Sequence, residues 1–369
     1  MMKRTELSQE TSASFINHRS ISIMKYLLIS ISLLFIQECW SQQESQFANV
    51  ISNPFIVNPA AGGMAGVMQF ETTARRQWLG YKGGPRTMMF TGNSQIKTGR
   101  RSVLSEFNAK SASLFKNPKP TTGALKHIVG GKFINDAIGP FSKTSVYGSY
   151  AIHMPFMNDM NFGVGLGAGW SNFRINQDRV VLFQDDDQTY ASFLGNSSSQ
   201  NIFDANAGLV FYNERFFGGL SVSQALKNDV VFNNVETQSS YNRHLFLIAK
   251  YKLDVNTDFQ LEPSVFIKYA ENSPLSADIG AKVLYHDAIW LGLQYRTSNA
   301  FIVQVGVNLV KNLYLSYAYE FSNGVIRTAQ NGTHEINLGI YIGNNRKVKK
   351  EMEREEKKKE VQESKEQEL

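Results

Sequence analysis

Apolar side chains recur at every second position in run after run of this chain, and that alternation dictates strands with two unlike faces. In "NAFIVQVGVNLV", Phe301, Val303, Val305, Val307 and Leu309 fall on one face, against Ala300, Ile302, Gln304, Gly306 and Asn308. "NLYLSYAYEF" sets Leu313, Leu315, Tyr317, Tyr319 and Phe321 against Tyr314, Ser316, Ala318 and Glu320. About fourteen such runs lie near 67–79, 86–96, 122–135, 143–154, 160–174, 201–212, 215–226, 241–252, 258–270, 275–286, 288–296, 299–310, 312–321 and 333–343. Most are roughly 9–13 residues long, where a soluble strand takes about 5–6 and a tilted bilayer-crossing strand about 9–11. One face is apolar and often ends in an aromatic; the other carries Gly, Ser, Asn, Gln and single charges. The pattern predicts an all-β protein: a transmembrane outer-membrane β-barrel of about 14 antiparallel strands with a polar interior. The competing architecture is a secreted soluble sandwich or barrel, which fractionation separates from it.

A barrel of this kind must be exported, and the N-terminus carries the means. Met24-Lys25 is a short basic start, Tyr26 to Ile36 is an apolar run, and Cys39-Trp40-Ser41 places small residues at the −3 and −1 positions of a cleavage site. Translation starts at Met1 and at Met24 both fit. We expect a signal peptide over 1–41, a lead-in segment over 42–66, the barrel over 67–343 and a tail over 344–369. The single cysteine, Cys39, lies in the expected signal peptide, and Glu38 before it is too large for a lipobox. The expected mature chain therefore lacks disulfides, Cys-ligated metals and thiol nucleophiles. No stretch approaches the ~18 apolar residues of a spanning helix. The formal charge of +6 falls to +5 when four Lys/Arg and three Asp/Glu of residues 1–41 are removed. That mild bias on an exported chain argues against a nucleic-acid partner.

The lead-in contains "NPFIVNPAAGG", Asn53 to Gly63. Each proline fixes φ, removes a donor and pushes the residue before it out of the helical region. An extended, apolar, donor-poor segment on the periplasmic side of the first strand suits packing inside or beneath the barrel mouth. Short connections at Asn213-Glu214, Asp254 to Thr257, His286-Asp287 and Val310-Lys311 read as periplasmic turns. The longer ones near 175–200, 227–240 and 322–332 read as extracellular loops. The basic stretch 97–121 breaks that rule. An even strand number leaves the charged tail, with nine Lys/Arg and eight Glu, in the periplasm.

Candidate chemistry is sparse. The histidines of the expected mature chain are isolated, and His334-Glu335 on one strand would point to opposite faces. "GVGLGAG" resembles a nucleotide loop but lacks G-x-G-x-x-G spacing and a following helix. Alternate glycines instead thin one strand face so that another backbone can approach. Asp185 to Asp187 fit a calcium loop or a solvated acidic loop. Inward-facing Glu262, Lys268, Asp278, Lys282, Arg296, Glu320 and Glu335 are mixed in sign, as cross-braces of a closed wall or as a channel lining would be. No catalytic, metal or cofactor-binding residue is assigned.

"QFANVISNPFIVNPAAGG", "RRQWLGYKGGPRT" and the last strand "THEINLGIYIG" together resemble the PorP/SprF family, outer-membrane proteins of the type IX secretion and gliding machinery of Bacteroidota. The resemblance runs from about Gln42 to Gly343. It is most specific at Asn53, Pro54, Asn58 and Pro59, and at Gln77, Trp78, Gly80, Gly84 and Pro85 of the first hairpin. The 97–121 stretch and the charged tail depart from the family's pattern. The resemblance implies a non-enzymatic outer-membrane component that assists secretion or surface anchoring of cargo such as adhesins. It implies no cofactor, and as partners other components of the machinery, a secreted cell-surface cargo protein and outer-membrane lipid. The alternative function is a transport barrel, either a porin or a hydrophobic-substrate channel.

Overall fold

The computed structural model describes residues 45–96, 125–156, 160–180, 199–226, 229–232, 235–240, 242–271, 273–286, 288–310, 312–323 and 325–342. Fourteen strands make the wall: β1 (Met68–Arg76), β2 (Arg86–Ile96), β3 (Lys126–Ile138), β4 (Phe141–Pro155), β5 (Asn161–Ile175), β6 (Ser199–Tyr212), β7 (Phe216–Ser223), β8 (His244–Tyr251), β9 (Phe259–Ala270), β10 (Ser276–Tyr285), β11 (Ile289–Arg296), β12 (Ala300–Val310), β13 (Leu313–Ser322) and β14 (Thr333–Ile342). Each pairs antiparallel with its sequence neighbours. β1 pairs with β14 from Met68↔Ile342 to Arg76↔His334, which closes the ring and leaves no edge. This is the 14-strand antiparallel barrel that the alternation predicts.

Closure explains the alternation. In lipid every backbone polar group must find its partner within the wall, and only a closed ring of strands does so. Outward positions are then apolar by necessity: Leu291, Leu293, Phe301, Val305, Leu315, Ile336 and Leu338 are all strand residues exposed on the outside. Inward positions are buried although many are polar, among them Thr73, Thr91, Asn206, Gln304, Ser316 and Asn337. Aromatic pairs mark both rims of the apolar band. At the end that carries the β1–β2, β5–β6, β7–β8 and β13–β14 connections, called here the loop end, Tyr295 packs on Phe301 at 4.9 Å and Tyr319 on Phe321 at 4.3 Å. At the opposite, turn end Phe259 packs on Tyr285 at 4.9 Å and Phe156 on Phe211 at 5.7 Å. Such girdles sit at the two water interfaces of membrane barrels.

Some details differ from the sequence reading. The first run ends at Arg76 because Trp78 takes a left-handed φ of 53° and turns the chain. Within the loop near 227–240 the chain forms a small hairpin of its own, Asp229–Phe232 with Val235–Ser240. The expected signal peptide, the 97–121 stretch, Asp185 to Asp187 and the charged tail lie outside the described residues.

Candidate functional site

Residues 45–66 run through the lumen, and the lumen is where the inward chemistry converges. Phe47, Val50, Ile51, Ile56, Ala60 and Ala61 are buried and pack into one cluster with Met89, Ile134, Val210, Phe246, Ile248 and Phe266 of the wall. The two prolines shape the segment. Pro54–Ile56 and Pro59–Ala61 are single 3₁₀ turns, each opened by the asparagine before the proline. Fixed φ suits Pro to the first helical position, and its missing N–H is an orphan there in any case. Asn58 caps its turn by accepting from Ala60 N–H at 2.9 Å, and its amide donates to the Leu209 and Leu220 carbonyls of β6 and β7. Asn53 leaves its turn uncapped; its amide donates instead to Glu71 at 3.0 Å and Thr91 at 3.3 Å.

A segment with few internal hydrogen bonds must be satisfied by its surroundings, and here the wall does so from many directions. Glu335 of β14 accepts the Ala48 and Asn49 N–H groups at 2.8 and 3.0 Å. Gln304 of β12 donates to the Ala48 carbonyl at 2.6 Å, Lys250 of β8 to Ile51 at 2.8 Å and Lys132 of β3 to Ile56 at 3.0 Å. His153 of β4 donates through Nε2 to the Ala60 carbonyl at 2.7 Å, while Asn93 of β2 accepts from Gly63 N–H at 2.8 Å. Glu71 accepts from Asn49, Asn53 and the Tyr314 hydroxyl, and has no cationic partner among the described residues. Where the wall carries glycine, the plug comes closer still. A Cβ on Gly165 would stand 2.5 Å from Ala60 N, one on Gly130 2.5 Å from the Phe55 ring, and one on Gly208 2.0 Å from Asn58. The alternate glycines of "GVGLGAG" thus serve close packing, as the sequence suggests.

Near the loop end, five buried side chains and the half-buried Lys268 form an alternating ladder: Glu335, Arg75, Glu320, Arg296, Asp278, Lys268. Arg75 bridges Glu335 at 3.1 Å and Glu320 at 2.9 Å. Arg296 bridges Glu320 at 2.8 Å and grips both oxygens of Asp278 at 2.9 and 3.0 Å, and Lys268 closes on Asp278 at 3.1 Å. Three acids meet three bases, so the ladder is neutral, and its Glu335 end holds the plug. Toward the turn end Glu262 lies 3.0 Å from Lys282 and 3.8 Å from Lys250. All seven inward charges picked from the sequence therefore brace the wall. Reading the sequence alone missed Arg75 and Glu71, although Glu71, Thr73 and Arg75 alternate along β1 and so share its inward face.

The first-hairpin signature shapes a turn. Gln77 N–H donates to the Pro85 carbonyl at 2.9 Å and closes it. Gly80 takes φ 91°, and a Cβ on Gly84 would lie 2.7 Å from the Gln77 carbonyl and 3.2 Å from those of Trp78 and Tyr81. Leu79 exchanges backbone bonds with Gly332 and Asn331 of the β13–β14 connection at 2.9 and 2.6 Å, and Gly139 N–H of the β3–β4 connection donates to Gly83. Trp78 stacks edge-on against Tyr81. These residues tie three loop-end connections together. His334 and Glu335 do point to opposite faces: His334 Nδ1 meets the Tyr317 hydroxyl at 2.7 Å on the outside, while Glu335 faces the plug.

Among the described residues no group of three or more His, Cys, Asp or Glu is placed to hold a metal ion. What fold and lumen define together is a membrane β-barrel occluded by its own N-terminal segment. Residues 40–340 match the family described as type IX secretion system membrane protein PorP/SprF, and the chain belongs to that family. It is an outer-membrane component of that system, from a family and a fold that are typically non-enzymatic. No curated protein matches the chain. Among solved structures, the toluene transporter TbuX of Ralstonia pickettii is 10% identical with a TM-score of 0.44, covering 80% of this chain and 93% of that one. Omp33 of Acinetobacter baumannii is 9% identical with a TM-score of 0.40, covering 76% and 100%. The P. putida toluene transporter TodX is 8% identical with a TM-score of 0.40, covering 82% and 95%.

Proposed function

We propose that this chain is a closed accessory barrel of the type IX machinery, one that helps a secreted cell-surface protein to leave the cell or to be anchored outside it. The observation that carries this reading is the plug: residues 47–64 are bound from strands all round the ring, so the lumen is filled by the chain itself. A closed barrel in a secretion system acts by holding partners, not by conducting cargo through its own pore. In this reading residues 1–41 are removed on export and 42–66 become the plug. The loop end then faces outward, and the tail over 344–369 reaches the periplasmic part of the machine. The family-signature residues Asn53, Pro54, Asn58, Pro59, Gln77, Trp78, Gly80, Gly84 and Pro85 shape the plug and the loop-end turn instead of touching cargo.

Conductance in planar bilayers tests the closed state. The intact protein should be nearly silent, and deleting residues 42–63 should open steady channels; steady openings of the intact protein would favour a transport barrel. Truncation after Asn345 tests the tail. It should leave barrel abundance unchanged and lower surface delivery of cargo, because charge-dense contacts with the machine are lost. Full delivery by the truncated protein would reduce the tail to a spacer.

A further inference from the structure

The strand charges of this barrel divide sharply between its two faces. By the alternation of each wall strand, only three formal charges among the described strand residues point outward: Arg76, Arg86 and Arg174. All three sit at loop ends, in one register row that runs Arg76, Arg86, Ala137, Ser142, Arg174 across β1 to β5. Arg76 and Arg86 stand directly opposite each other, both exposed, and no carboxylate pairs with either among the described residues. Like charges opposite each other on neighbouring strands repel, and a lipid-facing wall favours apolar residues. An anion held between the two guanidinium groups would relieve that repulsion.

Two more features lie below it on the same wall. One outward row closer to the middle, Asn135 donates to Thr144 at 2.9 Å on the exposed face, leaving an amide oxygen and a hydroxyl proton for another partner. Deeper still, Phe70, Phe90, Phe133 and Val146 flank an apolar groove of about 450 Å³, with Gly92 and Gly131 in register along it. Phe90 is four residues from Arg86, roughly 13 Å along the strand at ~3.3 Å per residue. On a strand tilted by ~40° that is about 10 Å of depth, inside the ~15 Å that one leaflet contributes to the hydrocarbon core.

Cationic pair, polar pair and groove together match an amphiphile. We propose that the outward wall of β1–β4 binds a phosphorylated glycolipid of the leaflet at the loop end. Its phosphate lies between Arg76 and Arg86, its sugar hydroxyls meet Asn135 and Thr144, and an acyl chain lies in the groove. Arginine suits the head because its planar fork grips phosphate oxygens bidentately. The site is on the far side of the wall from the plug. Placing the lipid in the outer leaflet rests on the orientation proposed above; binding to the purified protein does not.

Native mass spectrometry of the full chain in detergent tests the site. The probes are a diphosphorylated glucosamine lipid, its dephosphorylated counterpart, phosphatidylethanolamine and inorganic phosphate. The wild type should retain the phosphorylated glycolipid roughly tenfold or more over the dephosphorylated one, as the loss of charge-assisted bonds implies. The double variant Arg76→Gln/Arg86→Gln should lower that retention by about tenfold, while Arg215→Gln, at an exposed turn pair with Asp254, leaves it unchanged. Equal retention of the two glycolipids by the wild type would overturn the proposal without any variant having to fold. So would unchanged retention in the double variant, or displacement of the lipid by inorganic phosphate, which would mark a simple anion site. Equal retention of phosphatidylethanolamine would mark an annular lipid surface and overturn it too. An error in orientation shows instead in surface labelling of loop residues on intact cells and leaves these binding results untouched.

Discussion

The plug meets two different walls. Along β3 to β7 it lies against glycines, so close that Gly130, Gly165 and Gly208 have no room for a Cβ. Along β8, β12 and β14 it is held at arm's length by Lys250, Gln304 and Glu335 reaching for its backbone. The first wall, although Lys132 and His153 also reach plug carbonyls from it, selects mainly by shape: an added carbon would strike plug backbone at Gly165, the Phe55 ring at Gly130 or the Asn58 side chain at Gly208. The second selects by charge and hydrogen bonding: side chains are long, the contacts are specific, and Glu335 is itself locked by the ladder behind it. One wall fits the segment and the other fixes its register, so the same occlusion rests on two kinds of interaction with different sensitivities.

The largest effect should come from the charged side. Arg296→Met leaves Asp278 and Glu320 as buried acids short of a counter-ion, which costs about 3–5 kcal/mol when one member of a buried ion pair is removed. Urea titration of folding into lipid vesicles reads this directly; a shift below about 1 kcal/mol would show that the ladder is wetted and weak. Next comes the shape-selecting wall. Gly165→Val should cost about 1–3 kcal/mol by overpacking against Pro59 and Ala60, and should raise conductance if the plug yields before the strand does. Removing the Gln304 amide with Gln304→Leu strands the Ala48 carbonyl and should cost about 1–3 kcal/mol at most. The smallest effect should come from Gly148→Ala, where an added Cβ points outward and meets nothing within 4 Å. It should stay within about ±0.5 kcal/mol. Equal losses for Gly165→Val and Gly148→Ala would erase the distinction between a glycine that admits the plug and one that merely faces lipid.

Much of this was legible before any coordinates. The fourteen runs correspond strand for strand to the wall, because lipid demands an apolar side chain at every outward position and the strand repeat puts those at every second residue. Strand ends were less certain, since a turn such as Trp78-Leu79-Gly80 still carries apolar residues after the chain has left the ladder. The proline-punctuated segment pointed to an interior lead-in, but its partners could not be read from it. Asn53 and Asn58 look alike in sequence; one reaches β1 and β2, the other β6 and β7.

The sequence by itself determined the class of fold, because period-2 patterning is local and each strand declares its own two faces. It also determined which charges face inward, by parity along each strand. Only the tertiary structure decided which of them meet. Arg75 and Glu335 are 260 residues apart and become neighbours through the closure of β1 on β14. Arg76 and Arg86 share an outward row only because the turn at Gln77 to Pro85 sets their register. Pairing across a closed ring depends on strand number, register and closure at once, and none of those is a property of any one stretch of sequence.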